Sequence, residues 1–165
     1  MSALDFCAEV LIEGRIRGAG LGDSMAVWDR CMGYEYTDGL SRGRLRRDYG
    51  LVEIIFEQYD TGWHATGIEI QAYRLGRFGV GIVPQVLAPY FGAVESRVNA
   101  KELLETVAAK GFGIEAVHEE GARTHAYRVD SSGGVVYVLM AETRTMKVPS
   151  VGDVWTVVLE LPDEE

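Results

Sequence analysis

The hydrophobic pattern of this chain switches from helical spacing to strict alternation, and the switch occurs twice. Residues 4–13 and 23–33 repeat apolar positions every three or four residues, which predicts two amphipathic helices. Asp23 is the predicted N-cap of the second helix, and Gly33 is its predicted stop. Residues 44–49, 52–58 and 63–73 then alternate apolar and polar side chains, which predicts three strands with one buried face.

The second half of the chain repeats this order. Residues 98–111 predict a helix with Asn99 as its N-cap, and strand-like runs follow at residues 114–118, 124–129, 135–141 and 154–161. A shift of 76 positions superimposes the two predicted helices, so that Asp23 falls on Asn99. Residues 135–140 are apolar on both strand faces, which is typical of a strand inside a sheet.

These patterns predict one compact domain over residues 1–165 with an α+β fold. Its sheet is expected to be mainly antiparallel, with the helices on one face, because the strands alternate in polarity and short turns join them. The two similar helix-then-strands halves would span residues 1–75 and 98–165. Residues 76–97 contain Gly and Pro and form the predicted linker, with one short helix around residues 85–90.

The composition is that of a globular protein, and it is acidic, with a net charge of −9. That balance argues against nucleic acid as a partner, because phosphate contacts need a positive surface. No apolar run approaches the length of a membrane span, so no membrane partner is expected. Acidic residues stand near the start, where a signal peptide needs a basic stretch, and two cysteines are too few for a disulfide scaffold. Both observations predict a cytoplasmic protein.

One short segment is basic within this acidic chain: four of the 16 Lys and Arg residues lie between residues 42 and 47. An anion-binding site is one interpretation of that cluster. The alternation predicts instead that Arg44, Arg46 and Asp48 share the solvated face of a strand. There they would pair with Glu53 or Glu57 on the next strand. We favour this second interpretation.

No arrangement of residues indicates catalysis, a metal site or a cofactor. The glycine-rich residues 17–24 lack the Lys-Ser/Thr of a phosphate-binding loop. His118 and His125 flank a predicted turn, as a zinc pair would, but no cysteine accompanies them. Neither Cys7 nor Cys31 lies beside a basic residue that would activate its thiol. The sequence therefore predicts a protein that is not an enzyme.

Three stretches, LGDSMAVWDRCMG, RLRRDYGLVEIIFE and WHATGIEIQAYRL, together resemble the immunity proteins of bacterial polymorphic toxin systems. The helix-then-strands layout, given twice, is also similar to the fold of the β-lactamase inhibitory protein. These resemblances imply a small acidic protein that is encoded beside a secreted toxin and neutralises it by binding. They transfer no active-site residue to this chain.

The expected partner is therefore a protein toxin, and a basic, nucleic-acid-directed one fits best, because an acidic surface attracts and occludes a positive cleft. Aromatic anchors are expected at Trp63, Tyr59 and Tyr34, which lie in or beside predicted turns. The acidic field around them is expected from three glutamates of the second half: Glu115, Glu119 and Glu120.

Two other functions remain open on the sequence alone. One is small-molecule binding in a pocket near Tyr49, Trp63 and Tyr73. The other is zinc or hydrolytic chemistry at His118 and His125. The neighbouring gene separates toxin binding from both, since an adjacent secreted toxin favours it and a metabolic operon argues against it.

Overall fold

The computed structural model describes the protein at residues 1–118, 123–141 and 149–162. In that part of the chain the helices are α1 (Ala3–Glu13), α2 (Met25–Met32), α3 (Leu75–Phe78) and α4 (Ala100–Ala109). Short 3-10 turns follow β-structure or link helices at Ala72–Arg74, Gly79–Ile82 and Ala88–Tyr90. Helix α1 begins at a capping box in which Ser2 and Asp5 bond each other's backbone amides. These hydrogen bonds lower the pKa of Asp5.

Ten strands lie in the described residues, and eight of them form one sheet. The small hairpin is β1 (Arg15–Ile16) with β2 (Ala19–Gly20). The large sheet contains β3 (Thr37–Ser41), β4 (Arg44–Asp48), β5 (Val52–Tyr59), β6 (Gly62–Ile70), β7 (Ile114–Val117), β8 (Thr124–Val129), β9 (Val135–Leu139) and β10 (Val154–Glu160). Its order is β3-β4-β5-β6-β10-β9-β8-β7, and every neighbouring pair is antiparallel. This architecture confirms the predicted α+β fold class.

The last strands of the two halves join the sheet at its centre. Strands β6 and β10 pair through Ile68 with Leu159 and through Ile70 with Val157. All four side chains are fully buried beneath the helices. The two four-stranded meanders therefore share one apolar layer, and we call the β6–β10 contact the central seam.

In each half, backbone hydrogen bonds join the start of a helix to the last strand or the residue beside it, in the same arrangement. Ser24 caps α2 and bridges to His64 in β6, while Asn99 caps α4 and bridges to Asp153 beside β10. In both halves the residue before the cap accepts a backbone bond from the strand: the Asp23 oxygen from Ala65, and the Val98 oxygen from Val154. The helix caps of the two halves therefore correspond at a shift of 75 positions, and the strand residues they bond at a shift of 89.

The predicted N-cap Asp23, and with it the shift of 76, is wrong by one residue. The Asp23 carboxylate instead accepts the Gly20 amide and pairs with Arg15, so it is not available to cap α2. Ser24 takes that place and accepts the Val27 amide. The buried helix positions then correspond, with Trp28 and Met32 in α2 matching Leu103 and Val107 in α4.

The sequence missed strand β3 and extended β6 too far. All five β3 residues are exposed and follow no apolar alternation, so the pattern carried no signal. The third predicted run, 63–73, ends as a strand at Ile70, because residues 72–74 turn into a 3-10 helix that packs against β10. Within the linker, the predicted helix around 85–90 is a single 3-10 turn at Ala88–Tyr90.

The helices cover one face of the sheet. Helix α1 packs on α4 and β10, and α2 packs on β6. Apolar side chains of the sheet point to this face, among them Val52, Ile54 and Phe56 of β5. In the described residues no helix is long and apolar enough to cross a membrane. We call the opposite face, which these helices leave uncovered, the open face.

Candidate functional site

A wide groove of about 1210 Å³ lies on the open face of the first half. Its floor is Ile55 and Gly67, which lie opposite each other on β5 and β6. Strands β3 and β4 form one wall, and the end of β10 forms the other. The groove is lined by Thr37, Asp38, Gly39, Leu40, Ser41, Arg42, Arg44, Arg46, Asp48, Ile55, Glu57, Tyr59, Thr66, Gly67, Glu69, Glu160, Leu161 and Pro162.

The arginine wall of the groove is largely neutralised by the neighbouring strand. Arg44 lies opposite Glu57 in the ladder, and its Nε donates to Glu57 at 2.6 Å. Arg46 reaches the Glu53 carboxylate at 3.4 Å. These cross-strand pairs are the ones predicted from the alternation, and both arginine side chains stay more than half exposed. The cluster is therefore a solvated strand face at these positions.

Arg47 is the exception, because it points to the helix-covered face and is only 3% exposed. Its Nε and Nη2 bind the two Asp38 oxygens at 2.9 and 3.0 Å, and its Nη1 binds Asp29 of α2 at 2.5 Å. The guanidinium also lies 3.6 Å from the centre of the Tyr36 ring. Burial alone would lower the pKa of Arg47, but the bonds to Asp38 outweigh it and raise that pKa. This buried arginine therefore links α2 to the β3–β4 hairpin.

A second ionic network lies under the groove and satisfies a buried carboxylate. Glu53 is 1% exposed although it belongs to the open face. It accepts bonds from Arg74 at 2.5 Å, from Gln71 at 3.0 Å and from Arg46 at 3.4 Å. Arg74 also binds Asp48 and the Gly50 carbonyl, so it fastens the turn between β4 and β5. The alternation predicted Glu53 on a solvated face, and its burial had no signal in that pattern.

Two carboxylates of the groove lack a matching cation. Glu69 lies directly opposite Glu53 and accepts one bond, at 2.7 Å, from the neutral amide of Gln71. Burial raises the pKa of Glu69, and the nearby charges of Glu53 and Glu160 raise it further. Glu160 is exposed on β10, and no ion pair joins it to any residue of the described chain. On the basic wall of the groove Arg44 and Arg46 are thus neutralised, and Arg42 has no ion pair within the described residues; the acidic wall, Glu69 and Glu160, is unneutralised.

The predicted partner-binding residues do not lie together. Tyr59 lines the groove, is 44% exposed and packs edge-on against His64. Trp63 is half-buried and packs against the hydrophobic core. Tyr34 is exposed between α2 and β3, and Glu115 is exposed on β7 at the far edge of the sheet. Glu119 and Glu120 lie outside the described residues.

The residues proposed for a small-molecule pocket also lie apart. Tyr49 is buried and meets the Tyr36 ring edge-on, with centroids 5.5 Å apart. Tyr73 stacks on Trp155 with centroids 4.4 Å apart, beyond the opposite end of β6 from Trp63. None of Tyr49, Trp63 and Tyr73 lines the groove.

The cysteine and histidine side chains that could carry chemistry are buried, hydrogen-bonded within the fold, or exposed to solvent. Burial raises the pKa of the Cys7 thiol to about 12, which keeps it protonated. Both His64 ring nitrogens are engaged, with Gly22 and with Thr61. His118 and His125 are exposed. Within residues 1–118, 123–141 and 149–162, no group of three or more His, Cys, Asp or Glu side chains could hold a metal ion.

Comparison with known proteins adds little to this geometry. No protein-family model and no curated protein matches the sequence. Among solved structures, a DUF4309 family protein, YjgB from Bacillus subtilis, aligns over 96% of this chain and 95% of its own. The alignment has 12% sequence identity and a TM-score of 0.45.

Replacing Arg47 with Ala should destabilise the protein by about 3 kcal/mol, because it leaves Asp29 and Asp38 without their shared cation. Arg44→Ala is the matched control on the same strand, and it should cost less than about 1 kcal/mol because the Arg44–Glu57 pair is exposed. Equilibrium unfolding in urea measures both. If both variants lost the same unfolding free energy, the buried Arg47 pairs would contribute no more to stability than the exposed Arg44–Glu57 pair.

Glu69→Gln should stabilise the protein at neutral pH and leave it unchanged in acid. Because its pKa is higher in the folded than in the unfolded state, the folded protein loses stability as pH rises through the folded pKa. Below the ordinary value of 4.5 the penalty is absent, since both states are protonated. Unfolding free energies measured across that pH window test this. Glu115→Gln, exposed on β7 at the far edge of the sheet, is the control and should not reproduce this pH-dependent gain.

Proposed function

We propose that this protein is a non-catalytic inhibitor of the immunity type. It would bind a bacterial toxin in the cytoplasm of the cell that makes it and block the toxin by direct contact. The groove on the open face is the proposed binding surface. The observation that carries the proposal is the acidic wall of Glu69 and Glu160, which have no ion pair within the described residues, whereas the other carboxylates of the groove, Asp38, Asp48 and Glu57, are paired.

The charge pattern favours a partner with a basic side chain. Arg44 and Arg46 already have carboxylate partners within the sheet, so an acidic ligand would have to break those pairs. Glu69 and Glu160 have no cation to give up, and a Lys or Arg from the partner would relieve the repulsion that raises the Glu69 pKa. A toxin with a positive, nucleic-acid-directed cleft presents such side chains.

The rim of the groove supplies apolar area for a protein interface. Tyr59 and Leu161 are both exposed and line the groove, as does Pro162. An exposed tyrosine next to charged groups is a common anchor in protein interfaces. A large open groove with apolar rim residues suits a protein surface better than an enclosed small molecule. Tyr59 is therefore the proposed anchor, and Trp63 is assigned to the core.

Binding to the product of the adjacent gene tests this function. Glu160→Lys should slow association and flatten its salt dependence, because it removes the steering field. Tyr59→Ala should speed dissociation and weaken binding by about 2 kcal/mol. Biosensor kinetics with both purified proteins measure the two effects, and co-expression with the toxin measures protection.

Two controls locate the surface. Glu115→Lys has the same charge change on the far edge strand, and Tyr34→Ala removes an exposed tyrosine outside the groove. Both should bind normally if the groove is the interface. If only these two variants lost binding, the interface would lie outside the groove. An adjacent gene product that is not a toxin, or that does not bind, would contradict the immunity function itself.

A further inference from the structure

Strand β3 ends the large sheet with a free backbone edge. It pairs with β4 alone, and all five of its residues are exposed. The two strands are joined by a two-residue turn, Arg42-Gly43, with both residues at positive φ (51° and 80°). In such a hairpin the flanking pair, Ser41 with Arg44, exchanges both backbone bonds. The N–H and C=O groups of Asp38 and Leu40 must then point away from β4, because the direction alternates along a strand.

Nothing in the described chain occupies or protects this edge. No backbone bond from elsewhere in the described residues reaches Asp38 or Leu40. The strand has no Lys, no Pro and no bulge, which are the usual means of blocking an edge. Its one acidic side chain, Asp38, is held by Arg47 on the helix-covered face. The edge therefore carries little unbalanced charge.

We infer that this edge pairs with the β3 strand of a second copy of the chain. An antiparallel two-fold centred on Gly39 places Asp38 opposite Leu40 of the partner subunit, and Leu40 opposite the partner's Asp38. Each of these pairs exchanges both of its backbone bonds. Gly39 meets its own copy with no side chain in the way, and Leu40, now 68% exposed, becomes covered.

The occupant is a second copy because the edge is self-complementary. Its outward hydrogen-bonding residues are symmetric about Gly39, which is the requirement for an isologous contact. Because Asp38 is already paired, two copies meet there without charge repulsion. The opposite edge of the sheet, β7, differs in carrying the exposed Glu115, which would approach its own copy with like charge.

This contact would create a dimer with two grooves on the same side. The two-fold axis of such a strand pair is perpendicular to the sheet, so the open faces of both copies point the same way. The inference stands apart from the proposed function, since it requires no toxin.

Sedimentation velocity on the full chain, from low micromolar to submillimolar concentration, tests the dimer. A monomer–dimer equilibrium is expected, and Gly39→Lys should weaken it by at least about tenfold, because the two lysine charges would lie directly opposite each other at the two-fold axis. Within one copy, a side chain at residue 39 has open space. Phe78→Lys, another exposed apolar position, is the control and should dimerise normally. A chain that stays monomeric throughout would overturn the inference, as would a dimer insensitive to Gly39→Lys.

Disulfide trapping tests the register independently of stability. In a Cys31→Ser background, Gly39→Cys should form a covalent dimer under mild oxidation, since residues opposite each other at the two-fold lie close enough to bond. Cys7 is buried and should not compete. Thr37→Cys, on the same strand and face, should form no covalent dimer, because its copy lies four residues away along the partner strand. Equal trapping of both variants, or of neither, would refute the proposed pairing.

Discussion

The central seam between β6 and β10 is the contact on which the rest of the structure depends. Each half is a helix packed on a four-stranded meander, with one apolar face. Pairing Ile68 and Ile70 with Leu159 and Val157 merges the two apolar faces into one layer, which α1, α2 and α4 cover. The helices therefore lie on one side of the sheet, and the other side is left for polar residues.

That division explains the charge networks of the first half. Side chains on the open face cannot be covered by a helix, so charges there must be solvated or paired across strands. Arg44 and Glu57 pair in solvent, whereas Glu53 is buried and needs Arg74, Arg46 and Gln71 together. Glu69 lacks a cation of its own, and its raised pKa records the cost.

The sequence predicted those parts of the fold that periodic burial controls. The long strands β5, β6 and β10 and helix α4 have clear spacing, and Asn99 is the cap that was predicted. Strand β3 lacked that signal because it is exposed on every residue. Ser24 caps α2 because the Asp23 carboxylate accepts the Gly20 amide instead. A sequence pattern does not show that this amide lies within reach of Asp23.

The candidate site was less predictable, because it combines segments far apart in the chain. Tyr59 was expected as an anchor and lines the groove, but Glu160 and Leu161 join it only through the pairing of β10 with β6. The sequence did not predict the burial of Glu53 and Arg47, because charged residues in an alternating strand are expected to face solvent. Trp63 seemed exposed beside a turn, yet its ring faces the helix-covered side and packs on the core.

Native-state hydrogen exchange of the wild-type protein and Ile68→Ala tests the central seam most directly. Ile68 is fully buried between Ile54 and Leu159, and its truncation should cost about 3 kcal/mol. If the seam makes the halves one cooperative unit, the slowest amides of β5 and β9 share one unfolding free energy, and the substitution lowers both equally. A loss confined to β5, with β9 unchanged, would contradict the account.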